Sequence, residues 1–482
     1  MIDPRPVGYV IGLLVTAFGA TMTVPMMVDL AAGNGHWPAF LESAILTTLT
    51  GGLTALACAT GTGERMTVQQ LFLLTTAVWV ALPVFGALPF VFGATDAKGV
   101  DAFFEAVSGL TTTGSTVFTG LQDLPRGLLL WRSMLQWFGG IGIVVVAMVF
   151  LPELRIGGMQ IFRSEAFDTM GKILPRAAEI AAQISWIYVI LTFLCFLGYT
   201  VLGLSSFDAV NHALTTMSTG GFSTTDQSFG AFQGPPEYLA AVFMILASLP
   251  FVRYIQVITG SVKPICRDAQ VRAYLTVIGA AAAMLAVFQI VVDGRGVEES
   301  LREALFNVTS IISGTGYASV DYQLWGAFAM VVFFFLGLVG GCAGSTCCSI
   351  KVFRYQILLS SIRAQVQRIH SPHSLATPRF EGRRVGPDVL SSVMAFFVLF
   401  IVSLGGLSVL LAMTGLDFVT ALSGAATAIG NIGPGLGPVI GPAGYFGPLN
   451  DAAKWLLIFG MILGRLELMA VFVLFVPRFW RA

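Results

Sequence analysis

The sequence predicts an all-α polytopic membrane protein with ten transmembrane helices. Of its 482 residues, 56% are hydrophobic and 11% are charged, whereas soluble domains carry about 25% charged residues. Its apolar blocks are long enough to cross a bilayer, which takes about 20 residues, and the loops between them alternate in charge. The ten blocks lie at about 7–32, 38–60, 70–93, 128–151, 180–203, 236–260, 273–292, 326–350, 389–413 and 453–477.

The charge of the loops predicts the orientation of the chain. Basic residues concentrate in three segments, which are 152–180, 253–272 and 351–388. Acidic residues dominate the segments between them, which are 94–127, 204–235, 293–325 and 414–452. By the positive-inside rule the basic segments are cytoplasmic, so we expect both termini in the cytoplasm. The formal net charge of zero gives no reason to expect a nucleic-acid partner.

The first two blocks are predicted to form an N-terminal two-helix hairpin, residues 1–68, outside the repeated part of the chain. The first block, from Val7 to about Ala32, is too long for the core of a signal peptide. We therefore expect it to remain in the protein as a transmembrane helix.

The four acidic loops share one pattern, which predicts an internal repeat. Each holds a short helical segment, then a run of Gly, Thr and Ser that we call a glycine loop, and then the next apolar block. The loops align on four residues, the aligned glycines, which are Gly114, Gly221, Gly316 and Gly433. The period of about a hundred residues predicts repeats 1 to 4 at 69–160, 161–268, 269–370 and 371–482.

A second feature recurs thirteen residues before each aligned glycine. The residues there are Asp101, Asp208, Glu303 and Thr420. Acids and threonine suit a helix N-terminus, where free N–H groups and the positive end of the helix dipole need a partner. We therefore expect each of these residues to begin the short helix of its repeat.

Four glycine loops at membrane depth could bind a dehydrated cation. Non-helical backbone is tolerated there only where it is buried in protein or lines a wet cavity, and carbonyl oxygens around one axis can replace the hydration shell of an ion. The loops contain no carboxylate, which a divalent site would be expected to include. One loop alone would be an ordinary turn, but four aligned loops favour a filter for a monovalent cation.

The predicted filter takes three residues from each loop, up to and including the aligned glycine. They are Thr112, Thr113, Gly114, Thr219, Gly220, Gly221, Gly314, Thr315, Gly316, Asn431, Ile432 and Gly433. The register is ambiguous in the second loop, because Gly220 adjoins Gly221.

The eighth apolar block is rich in small residues near its end. The residues concerned are Gly340, Gly341, Gly344, Ser345 and Thr346. Such a run predicts either a broken helix with a loop or close packing against another helix, and the residues alone leave both open.

Two arginines lie inside apolar blocks. Arg465 is in the last block, where a charge costs about 2.5 kcal/mol or more at the helix centre, so we expect it to face a wet cavity or to pair with Glu467 or another acid. Arg132 has Asp123 or Asp101 as candidate partners, and a structural role is favoured over a role in transport.

The glycine loops resemble those of the TrkH family of bacterial Trk potassium uptake systems, within the TrkH/TrkG/KtrB/HKT superfamily. The motifs are Ser-Gly-Leu-Thr-Thr-Thr-Gly (108–114), Ser-Thr-Gly-Gly-Phe-Ser (218–223), Ser-Gly-Thr-Gly-Tyr (313–317) and Gly-Asn-Ile-Gly-Pro-Gly-Leu-Gly (430–437). The stretch from Trp131 to Gly142 is also similar to the family, and the resemblance covers essentially the whole chain.

The resemblance implies potassium uptake across the bacterial inner membrane through four fused M1–pore-helix–M2 units around one pore. It implies that the run from Gly340 to Thr346 is a gate beneath the filter, with Arg465 pointing into the pore. It also implies a homodimer that binds a cytosolic ring of TrkA, a nucleotide-binding regulator. No dinucleotide-binding fingerprint occurs in this chain, so we expect no cofactor here, only K⁺ as the transported ion and membrane lipid around the protein.

Two alternatives remain open on the residues. One is a sodium-coupled carrier. The other is a membrane-embedded enzyme such as a lipid transferase, which would need convergent His, Asp or Glu side chains at one membrane face. The glycine loops hold Gly, Thr and Ser instead, so we expect no enzymatic activity.

Overall fold

The computed structural model describes most of the chain in four ranges, which are 3–61, 66–149, 158–159 and 177–481. Some predictions fall outside these ranges, among them the boundary between repeats 1 and 2 at residue 160. Most of the basic segment 152–180 also lies outside, with its residues Arg155, Arg163, Lys172 and Arg176.

The described residues are mainly helical. The helices are α1 (Arg5–Thr21), α2 (Thr23–Ala32), α3 (Trp37–Cys58), α4 (Val68–Gly86), α5 (Leu88–Phe92), α6 (Gly99–Leu110), α7 (Arg126–Val149), α8 (Ala177–Val201), α9 (Ser206–Met217), α10 (Pro235–Ser248), α11 (Phe251–Ile258), α12 (Lys263–Arg267), α13 (Ala269–Val292), α14 (Val297–Ser313), α15 (Ala327–Val339), α16 (Val352–His370), α17 (Pro387–Met413), α18 (Phe418–Gly430), α19 (Gly437–Ile440), α20 (Asp451–Arg465) and α21 (Met469–Phe472). Two short strands, Arg379–Phe380 and Arg383–Arg384, pair antiparallel after α16.

The described ranges do not confirm the predicted ten membrane-spanning helices. In the described ranges, seven helices or continuous helix pairs are long and apolar enough to cross a bilayer, and two bent pairs raise the number to nine. The bent pairs are α10 with α11, at 93°, and Asp451–Arg465 with Met469–Phe475, at 105°. The predicted block 326–350 is helical only in α15, whose 13 residues end at Val339, because the small-residue run that follows leaves the helix.

The N-terminal helices α1 and α3 pack closely through glycines. A Cβ atom built on Gly12 would lie 2.5 Å from the backbone nitrogen of Ala55, and one on Gly51 would lie 2.6 Å from that of Thr16. Small residues let two helices approach in this way inside a membrane, where van der Waals packing drives their association. The hairpin is thus held by backbone-to-backbone contact.

The carboxylate of Asp29 joins this hairpin to α7. Its Oδ1 accepts hydrogen bonds from the Gly127 backbone N–H (2.7 Å) and the Asn34 side chain (2.7 Å), and its Oδ2 lies 2.8 Å from His36 Nδ1. Asp29 is fully buried. A negative charge at the first turn of α7 satisfies free N–H groups and the positive end of the helix.

The short helices α6, α9, α14 and α18 precede the four glycine loops, as the pattern predicted. Asp101 and Asp208 lie in the first turns of α6 and α9. The prediction for Glu303 is wrong, because α14 begins earlier, at Val297, and its first-turn acids are Glu298 and Glu299.

The fourth short helix begins slightly differently from its prediction. Thr420 lies in the first turn of α18, but the capping residue is Asp417, whose carboxylate accepts a hydrogen bond from the Thr420 backbone N–H at 3.0 Å. A side-chain oxygen at this place satisfies one of the N–H groups that a helix leaves free. Asp417, three residues earlier, therefore caps the N-terminus of α18, the role that was predicted for Thr420.

Candidate functional site

The four glycine loops share one unusual backbone conformation. Each has two positive φ angles, at the aligned glycine and two residues before it. The pairs are Thr112 (53°) with Gly114 (85°), Thr219 (51°) with Gly221 (77°), Gly314 (76°) with Gly316 (78°) and Asn431 (52°) with Gly433 (110°). Left-handed residues at alternate positions turn successive carbonyls to the same side, whereas a strand alternates them. The loops are therefore built to present a row of oxygens.

Three of the left-handed residues are not glycine, which makes the conformation informative. Thr112, Thr219 and Asn431 are buried, and such strained positions cost of order 1–3 kcal/mol each. They persist only where the surrounding structure determines them. Their recurrence at the same place in three loops points to a functional requirement.

The loops contact one another in cyclic order through their aligned glycines. The distances from a Cβ built on each aligned glycine to the nearest carbonyl oxygen are 2.1 Å (Gly114 to Gly220), 1.9 Å (Gly221 to Thr315), 1.8 Å (Gly316 to Ile432) and 2.9 Å (Gly433 to Thr113). Each glycine thus lies against the residue that precedes the aligned glycine of the next loop, and the fourth contact returns to the first loop. We call these four carbonyls the carbonyl ring.

Side chains close the contact between the fourth loop and the first. Ser115 Oγ donates to the Gly433 carbonyl at 2.8 Å, and Asn431 Nδ2 donates to Thr113 Oγ1 at 2.9 Å. Thr113 Oγ1 also lies 2.7 Å from Thr111 Oγ1. Side-chain hydrogen bonds therefore join the fourth loop directly to the first.

A cavity of about 310 Å³ adjoins the carbonyl ring on the side toward which the loops run after the aligned glycines. All four aligned glycines line it, together with hydroxyl residues of the loops. Its one carboxylate, that of Asp226, accepts hydrogen bonds from the backbone N–H groups of Gly120 (2.8 Å) and Leu121 (3.1 Å). The oxygens nearest to the ring are thus carbonyls and hydroxyls.

Each short helix carries a polar side chain that forms a hydrogen bond with a residue two or three positions after the aligned glycine of its loop. Nine residues before the aligned glycines stand Glu105, His212, Asn307 and Gly424. The contacts are Glu105 with Val117 N (2.9 Å), His212 Nε2 with Ser223 Oγ (3.0 Å), Asn307 Nδ2 with Ser319 Oγ (3.0 Å) and, in the fourth loop, Ser423 Oγ with Leu436 N (2.9 Å). Sequence analysis missed this set, although alignment on the glycines would have shown a polar residue at the shared position in three of the four short helices.

Arg132 pairs with Glu105, so the prediction of Asp123 or Asp101 is wrong. Arg132 Nε lies 2.8 Å from Glu105 Oε1, and both side chains are buried. Arg132 also donates to the Ser223 carbonyl at 3.0 Å and lies 4.2 Å from the centre of the Phe222 ring. Its guanidinium therefore ties the first loop to the second, and Arg132 also lines the cavity beside the carbonyl ring.

The predicted gate, from Gly340 to Thr346, lies in a buried, non-helical segment between α15 and α16, residues 340–351. Its backbone is bonded to the bend between α10 and α11. Cys342 N–H donates to Ser248 O (3.1 Å), Thr346 N–H donates to Ala247 O (3.3 Å), and Gly344 O accepts from Phe251 N–H (2.9 Å). Of the two predicted alternatives, the structure shows the broken helix with a loop.

This segment also reaches the second glycine loop and the last span. Thr219 Oγ1 donates to Thr346 Oγ1 at 3.1 Å, next to the carbonyl ring. Arg465 donates from Nη1 to the Thr346 carbonyl at 3.2 Å and from Nη2 to the Gly139 carbonyl at 2.9 Å. Arg465 therefore links the segment to α7, the helix that follows the first glycine loop.

The predicted pairing of Arg465 with Glu467 is wrong. The helix breaks after Arg465, and Glu467 has a left-handed φ of 62°, so the two side chains point to different partners. Glu467 binds Lys351 at 2.6 Å and also pairs with Arg354, and all three are buried. Sequence analysis counted Lys351 and Arg354 among the basic residues of the segment 351–388 and did not predict this buried cluster.

Comparison with known proteins identifies the family of this chain. The family described as TrkH, cation transport protein, matches residues 36–482. The chain belongs to the TrkH family. It is similar to the Trk system potassium uptake protein TrkI of Halomonas elongata, at 44% identity over 86% of this chain and 84% of that protein. It is also similar to the Trk system potassium uptake protein TrkH of Salmonella typhimurium, at 34% identity over 99% of both chains.

The fold of this TrkH-family chain is similar to a solved one. The crystal structure of the potassium transporter TrkH from Vibrio parahaemolyticus matches with a TM-score of 0.90 and 31% identity, covering 99% of both chains. The family assignment made from the glycine loops is confirmed, as is the expectation of a transport protein rather than an enzyme. The chain is a helical polytopic membrane protein.

Proposed function

We propose that this TrkH-family chain carries potassium inward across the bacterial inner membrane through its carbonyl ring. The observation that carries the proposal is the cyclic contact of the four glycine loops, because it gathers one carbonyl from each loop around a common centre. Relatives whose names describe potassium uptake support K⁺ as the ion. The oxygen chemistry of carbonyls and hydroxyls suits a dehydrated monovalent cation.

The filter in this proposal consists of the same three residues in each loop that the sequence predicted. These are 112–114, 219–221, 314–316 and 431–433. Each loop offers one aligned glycine, whereas potassium channels have longer filter runs. We therefore expect looser discrimination against sodium and rubidium than in those channels.

Movement through the filter is channel-like in this proposal, driven by the electrochemical gradient. An inside-negative potential contributes about 2.3 kcal/mol per charge per 100 mV. The segment 340–351 acts as the gate, since its Thr346 touches the second glycine loop. Opening requires this segment to leave its bonds to the α10–α11 bend and to Arg465.

The wider organisation in this proposal follows from the family. Four fused repeats, 69–160, 161–268, 269–370 and 371–482, surround one pore, with the hairpin 1–68 beside them and both termini in the cytoplasm. The protein forms a homodimer, and a cytosolic TrkA-like ring with bound nucleotide controls the gate. The Trk system names of the relatives support such a partner.

The proposal is tested by potassium rescue. Expression of this chain with its regulatory subunit in a strain that lacks potassium uptake should restore growth at low external K⁺. Purified protein in vesicles should then pass K⁺ without added Na⁺ or H⁺ gradients. Strict dependence of flux on a sodium gradient would instead favour the sodium-coupled carrier.

Arg465 gives a more specific prediction. Replacing it with alanine removes a positive charge near the ring and its bonds to the Thr346 and Gly139 carbonyls. Uptake should be retained, with an increased maximal rate or a changed affinity, because a barrier to cations is lowered and the gate segment is less firmly held. Rubidium or potassium flux in vesicles measures this, and flux parameters identical to wild type would remove Arg465 from the mechanism.

A further inference from the structure

The side chain of Gln136 holds the second glycine loop at two points. It lies on α7, one turn after Arg132, and is fully buried. Its Nε2 donates to the Gly220 carbonyl at 2.6 Å, and its Oε1 accepts from the Phe222 backbone N–H at 3.0 Å. One amide of repeat 1 therefore spans the aligned glycine of repeat 2, which is Gly221.

This contact explains why the second loop has two adjacent glycines. A Cβ atom on Gly220 would lie 2.4 Å from Gln136 Cδ, so the amide occupies the space of a side chain there. Gly221 has the left-handed φ of 77°, and a Cβ on it would meet the Thr315 carbonyl at 1.9 Å. Gly221 is therefore the aligned glycine, and Gly220 is required by Gln136.

The carbonyl ring is asymmetric as a result. Among the described residues, the carbonyls of Thr113, Thr315 and Ile432 accept no side-chain hydrogen bond, whereas the Gly220 carbonyl accepts one. The helices that follow the other three glycine loops, α10, α15 and α20, contain no Asn or Gln. Only α7 carries an amide that can act in this way.

A carbonyl oxygen that already accepts an amide N–H has one lone pair committed, and its position is fixed. In a buried site such a bond is electrostatically stronger than in water. A fixed oxygen cannot move inward to coordinate an ion smaller than K⁺, so it penalises Na⁺ relative to K⁺. We propose that Gln136 is a positioning residue that sets the preference of the ring for K⁺ over Na⁺, an inference that rests on the proposed function.

The test replaces Gln136 by methionine, which has a similar length and neither donates to Gly220 nor accepts from Phe222 strongly. The control is Gln289→Met, since Gln289 is a buried residue of α13 whose amide atoms have no hydrogen-bond partner among the described residues. Fluxes of K⁺ and Na⁺ are measured in vesicles for both variants and wild type. Gln136→Met should raise the Na⁺/K⁺ flux ratio by about fivefold, the size of one lost hydrogen bond, and Gln289→Met should leave it unchanged.

A second variant and a second measurement keep the test decisive. Gln136→Leu removes the donor to Gly220 and the acceptor for Phe222 with a second apolar side chain, so it should raise the same ratio. The melting temperature of wild type should be higher in KCl than in NaCl. Both Gln136 variants should be folded but should show no such difference between the two salts. If folded Gln136→Met has the same Na⁺/K⁺ flux ratio as wild type, the inference is overturned. If wild type itself passes no K⁺, the proposed function is overturned instead.

Discussion

The Gly316→Ser variant is expected to lose most potassium uptake and much of its preference for K⁺ over Na⁺. Gly316 has a φ of 78°, where a side chain costs about 1–2 kcal/mol. Its new Cβ would also lie 1.8 Å from the Ile432 carbonyl, a member of the carbonyl ring. The Ile432 carbonyl oxygen must therefore move. Because a barrier raised by about 1.4 kcal/mol slows a rate about tenfold, K⁺ uptake should fall at least tenfold.

Uptake of K⁺ and Na⁺ by cells and by vesicles measures this effect. The matched control is Gly279→Ser in α13, because a Cβ there meets no atom within 4 Å and the backbone is ordinary helix. The control should rescue growth at low K⁺ as wild type does. If Gly316→Ser behaved like Gly279→Ser, the glycine loops would not be the path of the ion.

Replacing Glu467 by glutamine is expected to destabilise the protein strongly. Lys351 and Arg354 are buried against this carboxylate, and the neutral amide would leave two cations without a counter-charge. Removing one member of a buried ion pair costs about 3–5 kcal/mol. Since Lys351 ends the gate segment and Glu467 lies at the break in the last span, the loss should also free the gate and increase basal flux.

Thermal unfolding of the purified protein, with flux in vesicles, measures both effects. Glu298→Gln is the control, because Glu298 is an exposed carboxylate paired with Arg302, and surface ion pairs contribute about 0–1 kcal/mol. Its melting temperature should stay close to that of wild type. A melting temperature for Glu467→Gln equal to that of Glu298→Gln would show that the buried cluster does not hold the gate segment.

The sequence predicts long helices well and their interruptions only in part. Apolar blocks report composition over about 20 residues, which identified the seven long spans and both bent pairs of the described ranges but not the bends themselves. The bend before Phe251 follows Pro250, a recognisable breaker. The break at Glu467 falls at two left-handed residues that are not glycine, Glu467 and Leu468, and the pairing of Glu467 with Lys351 and Arg354 there is not visible in the local sequence.

The glycine loops could be found in the sequence because their requirement is local. A left-handed φ and a close carbonyl demand glycine at Gly114 and its equivalents, and four copies make the pattern visible. The partners of Arg132 and Arg465 are determined instead by how the helices pack against one another in the folded protein. Glu105 lies in a mostly apolar helix and pairs 27 residues away, a relation that spacing alone does not reveal.

The cyclic contact of the four glycine loops has a consequence for how ion affinity can change. In an assembly of four identical subunits, one mutation alters all four ligands of an ion at once. Here the four carbonyls come from one chain and from different residues, namely Thr113, Gly220, Thr315 and Ile432. In the proposed function, each substitution therefore changes one of the four carbonyls of the ring, so selection can adjust transport in small steps that a homotetramer does not have.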